Sequence, residues 1–339
     1  MALLLFDGFD YLPSNMNNYF NNSGGKWNIS ANGAPDLITT SNTRYNYGTA
    51  IGFGNYIYIG ANIPNTTTVI AGFALYTTIG YSDILRFVDA TTTQISLYVS
   101  ADDSSLAVYR NGSKIASSPS NVISTSSWSY IEVKVTFSAT VGTVTVRVNN
   151  VEVISFTGNT IATTNAYCNI VQIGQVGRYS YYEFDDFILM DGTGSYMNDF
   201  QGEERVLTLL PNSDISTQFT RSSGTVSYAL LNDTATNFTS YTQDSTSGDT
   251  DIFGYSTVSS SITGILGVQV NTVCQKTDSG ALLMNNVLAT GGNTYTSATK
   301  TVTNTTPAIL SDRWAISPYT GTAWTPSDIN SINAGYKIA

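Results

Sequence analysis

"WSYIEVKVTFSATVGTVTVRVNNVEVISF", Trp128 to Phe156, decides the fold. Ile131, Val133, Val135 and Phe137 alternate with Tyr130, Glu132, Lys134 and Thr136. That two-residue period belongs to a β-strand with one buried and one solvated face. After a turn at Thr140–Gly142 the pattern resumes, with Val144, Val146 and Val148 set against Thr145, Arg147 and Asn149. Asn149-Asn150 then turns the chain into "VEVISF". Antiparallel strands follow from the alternation, because a parallel strand is buried on both faces and shows an unbroken apolar run.

The same grammar extends on both sides. "TQISLYVSADDSSLAVYRNGSKIAS" (Thr93–Ser117) gives consecutive hairpins, turning at Asp102-Asp103 and at Asn111-Gly112, a pair suited to a type I′ turn. "VIAGFALYTTI" (Val69–Ile79) and "DILRFVDA" (Asp83–Ala90) are apolar runs bounded by small polar residues. A second strand-rich region starts near Arg205, with "RVLTLLP", "SYALLND", "DIFGYSTV", "ILGVQVNTVCQKTDSGALLMNNVLA" and "DRWAISPYTGTAWTPSDINSINAGYKIA". Near its end Thr325-Pro326 is an N-cap with proline at the first helical position, Ile329 and Ile332 follow, and Gly335 is placed to stop one short helix before a last strand "YKI".

Composition narrows the function. Charged residues make up 11% of the 339-residue chain, against about 25% in typical soluble domains. Ser, Thr, Asn, Gly and Tyr fill the difference, which suits strands and tight turns. The net charge of −10 and the lack of a basic cluster argue against binding nucleic acid or an anionic membrane surface. The two cysteines, Cys168 and Cys274, are far apart and predict free thiols. "MALLLFDGFD" has too short an apolar run and no basic start, so no signal peptide is expected, and no segment is long enough to span a membrane.

Histidine is absent, which removes Ser-His-Asp and Cys-His catalysis and His-ligated zinc. No glycine-rich phosphate loop is present. Carboxylate chemistry is left. In "YYEFDDFILMDGTGSYMNDFQGEERV" (Tyr181–Val206), Glu183 and Asp185 share a strand face, as the first two members of a glycanase-like E-x-D-x-x-E pattern would, but Phe187 and Ile188 stand where the third carboxylate is needed. Asp102, Asp103, Asp185, Asp186 and Asp191 leave calcium open as a possible ligand. Among the 22 tyrosines, Tyr45, Tyr47, Tyr56, Tyr58, Tyr179 and Tyr181 are the candidates for a recognition surface, since flat amphipathic rings stack on sugars and anchor protein contacts.

Several of these segments, "LLLFDGFD", "LAVYRNGSKI", the stretch from Trp128 to Phe156, "YEFDDFILMDGTGSYMNDFQGEERVLTLLPNSD" and "WAISPYTGTAWTPSDINSINAGYKI", together resemble a family of tailed-bacteriophage virion proteins. The resemblance implies an N-terminal concanavalin A-like (laminin-G-like) jelly roll over residues 1–194. A junction follows over 195–205, then a smaller β-sandwich domain over 206–339, all-β apart from the helix. It implies a chain that is not an enzyme: a tail or fibre component with an adhesion surface for host glycan or protein, assembled in the host cytoplasm among tail, baseplate or capsid proteins. A homo-oligomer, preferably a trimer, fits that role. Capsid decoration is one alternative; a polysaccharide depolymerase using Glu183 and Asp185 is the other. In such a jelly roll the first and last strands are neighbours, so "LLLFDGFD" is expected to pair with "YEFDDFILMD". Phe184 and its partner Phe187 or Ile188 would then face different sides, Asp185 and Asp186 would divide between core edge and surface, and Tyr181–Val206 would be a seam.

Overall fold

The structure, a computed structural model, describes residues 3–12, 26–27, 29–31, 36–39, 43–45, 48–54, 56–78, 80–174, 181–233, 238–259, 261–278, 280–302, 305 and 307–339. The fold is all-β. Two compact units divide the chain: Met1–Asp10 with Trp27–Leu207, and Tyr11–Lys26 with Thr208–Ala339.

The first unit is built from two antiparallel sheets. Sheet A runs β13 (Val151–Gly158), β12 (Gly142–Val148), β11 (Trp128–Thr136), β6 (Thr68–Thr77), β15 (Tyr182–Asp191), β4 (Thr49–Phe53) and β3 (Asp36–Thr39), with β1 (Leu3–Asp7) also on β15. Sheet B runs β10 (Ser113–Ser117), β9 (Ser105–Arg110), β8 (Thr92–Ser100), β7 (Ser82–Asp89), β14 (Cys168–Gly174), β5 (Tyr58–Thr66) and β2 (Ile29–Ala31). The alternation seen in the sequence sorts side chains as expected. Val133, Val135, Val144 and Val146 of sheet A, and Leu85, Phe87, Leu97 and Val99 of sheet B, are buried. Phe87 meets Phe137 edge-on at 6.4 Å, and Phe184 packs on Phe53 at 5.3 Å and Phe73 at 5.4 Å. The hairpin turns rest on residues that tolerate left-handed backbone: Asn149 and Asn150 at φ 47° and 68°, and Asn111 and Gly112 at φ 43° and 82°.

β15 has two partners end to end on one side. Its first residues pair with β4 (Tyr182↔Phe53 to Phe184↔Ile51), and its last ones pair with β1 (Phe187↔Asp7 to Met190↔Leu3). The expected pairing of the first and last strands is therefore present. Where the neighbour changes, the register of β15 against β6 shifts between Asp185 and Ile188, and Asp186 takes φ 50°. This bulge turns the facing around. Phe184 and Phe187 both reach the Phe73 ring and share a side, while Ile188, beside Gly72 and Tyr130, faces the other, so of the two residues the sequence left open it is Ile188 that opposes Phe184. Asp185 and Asp186 are both buried, at 6% and 2% exposure, and are not divided between edge and surface.

In the second unit, β16 (Pro211–Ser216), β19 (Thr250–Tyr255), β25 (Asn333–Ile338), β21 (Leu282–Thr290) and β22 (Asn293–Thr296) form one sheet, with β23 (Lys300–Val302) also on β21. β20 (Val268–Cys274) and β24 (Ala308–Trp314) form a two-stranded sheet, and β17 (Thr220–Arg221) pairs β18 (Thr242–Gln243). Val270, Leu288, Trp324, Ile329 and Ala334 make one core cluster, and Phe219, Met284, Val302, Leu310 and Ile338 another. The buried Asn286 ties the sheets together: its Nδ2 donates to the carbonyls of Val270 and Leu310 at 3.1 Å each, and its Oδ1 accepts from Thr272 at 2.6 Å. The helix is α1 (Pro326–Ile329), capped by Thr325 and Asp328 in a reciprocal capping box. It ends before Gly335, which lies inside β25. Two expected strands are absent. "RVLTLLP" is extended chain until Pro211, and "SYALLND" holds a 3-10 turn (Tyr228–Leu230) because the amides of Ser227 and Tyr228 donate to Asp214.

Candidate functional site

The two outer faces of the first unit differ. On sheet A, Glu183 and Asp185 face outward beside Tyr76 and Ala74 of β6, with Tyr130 and Glu132 of β11 nearby. The crossing segment 193–206 closes this face. Glu132 accepts from the amides of Gln201 at 3.0 Å and Gly202 at 2.9 Å, Lys134 pairs with Asp199 at 3.1 Å, and Phe200 lies 4.1 Å from the Arg147 guanidinium. Asp186 accepts from Val206 N at 2.7 Å and from Arg44 Nη1 at 2.6 Å; Arg44 also holds the Glu204 carbonyl at 2.9 Å and the Glu203 carboxylate. Glu183 is only 3% exposed. Burial lifts the Asp185 carboxyl to about 9 and Glu204 to about 7, the latter with help from the charges of Glu132 and Asp186. Glu183, Asp185 and Asp186 are thus enclosed carboxylates, at 3%, 6% and 2% exposure.

Among the described residues, the carboxylates named for calcium do not converge. Asp103 accepts from Ser105 N and Ser120 Oγ, Asp102 from the Tyr81 hydroxyl, Asp191 from Thr193, and Asp185 and Asp186 lie in the seam. Among the described residues no group of three or more His, Cys, Asp or Glu side chains is placed to hold a metal. Both cysteines are free thiols.

The outer face of sheet B is different. Strand register aligns one row across six strands: Gly60 of β5 with Gln172 of β14, Gln172 with Arg86 of β7, Arg86 with Ser96 of β8, Ser96 with Tyr109 of β9, and Tyr109 with Lys114 of β10. The neighbouring row pairs Asp83 with Tyr98 and Tyr98 with Ala107. All of these point away from the core, since Leu85, Phe87, Leu97, Val108 and Val171 between them are buried inside. The Tyr98 and Tyr109 rings meet edge to face at 5.4 Å, and the Tyr58 ring lies 4.5 Å from the Arg86 guanidinium. Asp83 accepts from Ser96 Oγ at 2.9 Å. Burial pushes the Asp83 carboxyl up and the Arg86 guanidinium down from their ordinary values, each opposed by the other's charge. The loop 162–167 is pinned at one end of the sheet by Gln94, which donates to Thr163 Oγ1 and the Asn165 carbonyl at 2.9 Å each and accepts from Ala162 N. Half-buried rings beside amide, guanidinium and hydroxyl groups are what a polar, flat-faced ligand needs: stacking for its C–H faces and donors for its oxygens.

Of the tyrosines singled out in the sequence, Tyr58 belongs to this face. Tyr56 is exposed in the β4–β5 turn at φ 61°. Tyr45 is in the seam, 4.9 Å from the Arg44 guanidinium and 4.1 Å from that of Arg205. Tyr181 is half-buried just before β15. Tyr47 and Tyr179 lie outside the described residues. Arg86, Gln172, Ser96, Tyr98 and Tyr109 were missed because aromatic-rich runs drew the choice. The polar phase of "DILRFVD", "QISLYV" and "LAVYR" carried the signal.

No family model and no curated protein matches the chain. Solved structures do align with it. Endo-β-1,4-glucuronan lyase from the fungus Trichoderma reesei is 9% identical, over 51% of this chain and 93% of its own, at a TM-score of 0.36. Domain 4 of a GH43 extracellular arabinanase from Geobacillus stearothermophilus, solved with arabinotriose, is 15% identical, over 56% and 93%, at 0.38. Alginate lyase Aly36B is 11% identical, over 56% and 96%, at 0.35. Such distances transfer no residue, substrate or activity. They do correct the expectation of a chain that is not an enzyme, because lyases stand among the structures that align with it. The physical reason is that lack of histidine leaves tyrosine, carboxylate and lysine available as acids and bases.

Proposed function

We propose that the first unit binds a polysaccharide along the outer face of sheet B. The observation that carries this reading is the registered row Gly60–Gln172–Arg86–Ser96–Tyr109–Lys114 with Tyr58 and Tyr98 beside it. Sheet A offers no comparable face because segment 193–206 lies on it. The resemblance to tailed-bacteriophage virion proteins supports a setting in which this face meets a host envelope polysaccharide, with the chain carried as a homo-oligomer on the particle.

Binding of the intact protein to a panel of purified bacterial surface polysaccharides tests the reading. Tyr98→Ala and Tyr109→Ala, whose rings each contribute roughly 0.5–1.5 kcal/mol by stacking, together weaken binding by about tenfold or more. A protein that binds none of the panel, or one whose binding is untouched by either substitution, removes the proposal.

Cleavage of the bound polymer is the second reading. Asp83 favours it, a carboxyl held above its ordinary range by burial and placed on the same face beside Tyr98. Release of new chain ends from a bound polysaccharide, abolished by Asp83→Asn while binding persists, is its signature. A polymer that stays intact after prolonged incubation ends it.

A further inference from the structure

We propose that the polysaccharide held on sheet B is a polyuronate, and that Arg86 receives one of its carboxylates. The inference rests on the proposed binding face and names its ligand class.

Arg44 and Arg86, two largely enclosed arginines of the first unit, are used differently. Arg44 is filled by Asp186, Glu203 and the Glu204 carbonyl. Arg86 is not. Its Nη2 is buried without a hydrogen-bond partner among the described residues, and none of the ion pairs among those residues includes it. Asp83, the acid on the same face, accepts from Ser96 and lends Arg86 its charge without an ion-pair contact, and one side of the guanidinium plane is taken by the Tyr58 ring. A cation drawn out of water with a donor left over is costly, and the cost is recovered when an anion supplies both charge and acceptor oxygens. The planar guanidinium fork matches the two oxygens of a carboxylate.

The neighbours fit the rest of such a sugar. Gln172 flanks Arg86 in the row and offers polar contacts to hydroxyls, while Tyr98 and Tyr109 offer ring faces. Gly60, next in the row, leaves its position without a side chain. Lys114 ends the row three strands from Arg86, about 14 Å away at the ordinary strand spacing. Two positive groups so spaced along one face, in a chain of net charge −10, suit a polymer with carboxylates repeated along its length.

Polygalacturonate and the same polymer after chemical reduction of its carboxyls differ in the anion alone, and the intact protein is titrated with both. The wild type binds the polyuronate at least tenfold tighter than the reduced polymer, the scale of one charge-assisted hydrogen bond. Arg86→Gln removes the difference between the two polymers; Arg86→Lys, which keeps the charge but loses the fork, falls between. Tyr109→Ala weakens both polymers alike. Equal binding of both polymers by the wild type overturns the polyuronate assignment and leaves the polysaccharide face standing. The same holds if Arg86→Gln still discriminates, or if a sulfated dextran is preferred to both. Binding to neither of these polymers nor to any polysaccharide in the wider panel removes the face itself.

Discussion

Arg44 donates to Asp186 across 2.6 Å with both side chains almost fully enclosed, at 4% and 3% exposure. The pair closes the gap where β15 passes from β4 to β1, and Asp186 also receives Val206 N. Removing either partner strands a charge in a buried place. Arg44→Ala or Asp186→Ala is expected to cost about 3–5 kcal/mol, read as a lower urea midpoint for the first unit. A loss below about 1 kcal/mol is the value for an exposed pair and contradicts a closing role for this one.

The seam also sets the pH response. Glu204 stands at about 7 in the folded chain against an ordinary 4.5, and Asp185 at about 9 against 3.8. Between the unfolded and folded values the native form keeps protons that the unfolded chain has released. The stabilisation is complete below the unfolded value and is lost as pH rises through the folded one. Stability of the first unit therefore falls from about pH 4 toward pH 9, through Asp185 over the whole span and most steeply between about 4.5 and 7, where Glu204 adds to it. Glu204→Gln flattens the lower half of that fall in urea midpoints taken at pH 5, 6, 7 and 8. A midpoint that climbs over this range contradicts the assignment.

Gly72 lies under the Tyr130 ring. A Cβ there would stand 2.7 Å from Tyr130 Oη and 2.9 Å from Ile188 Cγ2. Gly72→Ala is expected to cost about 1–3 kcal/mol by overpacking and to loosen segment 193–206 above it. Thermal melting and faster amide exchange at Gln201 and Gly202 report the two effects.

Asn286 is the polar tie of the second unit, and besides its three bonds to β20 and β24 groups its Nδ2 lies 2.9 Å from Asp312. Asn286→Ala leaves buried carbonyls and a hydroxyl unmatched, at about 1–3 kcal/mol for each group left unsatisfied. Denaturant titration of the full chain should show the second unit melting earlier. An unchanged midpoint places the tie elsewhere.

Much of this was legible in the sequence, for identifiable reasons. The alternation from Trp128 to Phe156 gave three strands and their facing, and Asn-Gly and Asn-Asn marked turns because those residues accept left-handed backbone. The pairing of β1 with β15 and the cap at Thr325 were also readable. Which of Phe187 and Ile188 opposes Phe184 was not, since one bulge residue decides it and no local pattern announces a bulge. "SYALLND" looks apolar enough for a strand, yet the distant Asp214 holds its amides in a turn. The sheet B row was hidden for a similar reason. Its members come from six strands between Tyr58 and Gln172, and only register brings them together.

β1 carries one more consequence. Leu3 waits for Met190 as its partner, so on a ribosome adding roughly 5–20 residues each second the apolar "LLLF" stays unmatched for about ten to forty seconds. During that interval it is a bare ladder for any other nascent copy. Expression yield of this chain should therefore respond to translation speed and growth temperature more than the finished fold, with that strand locked against β15, would suggest.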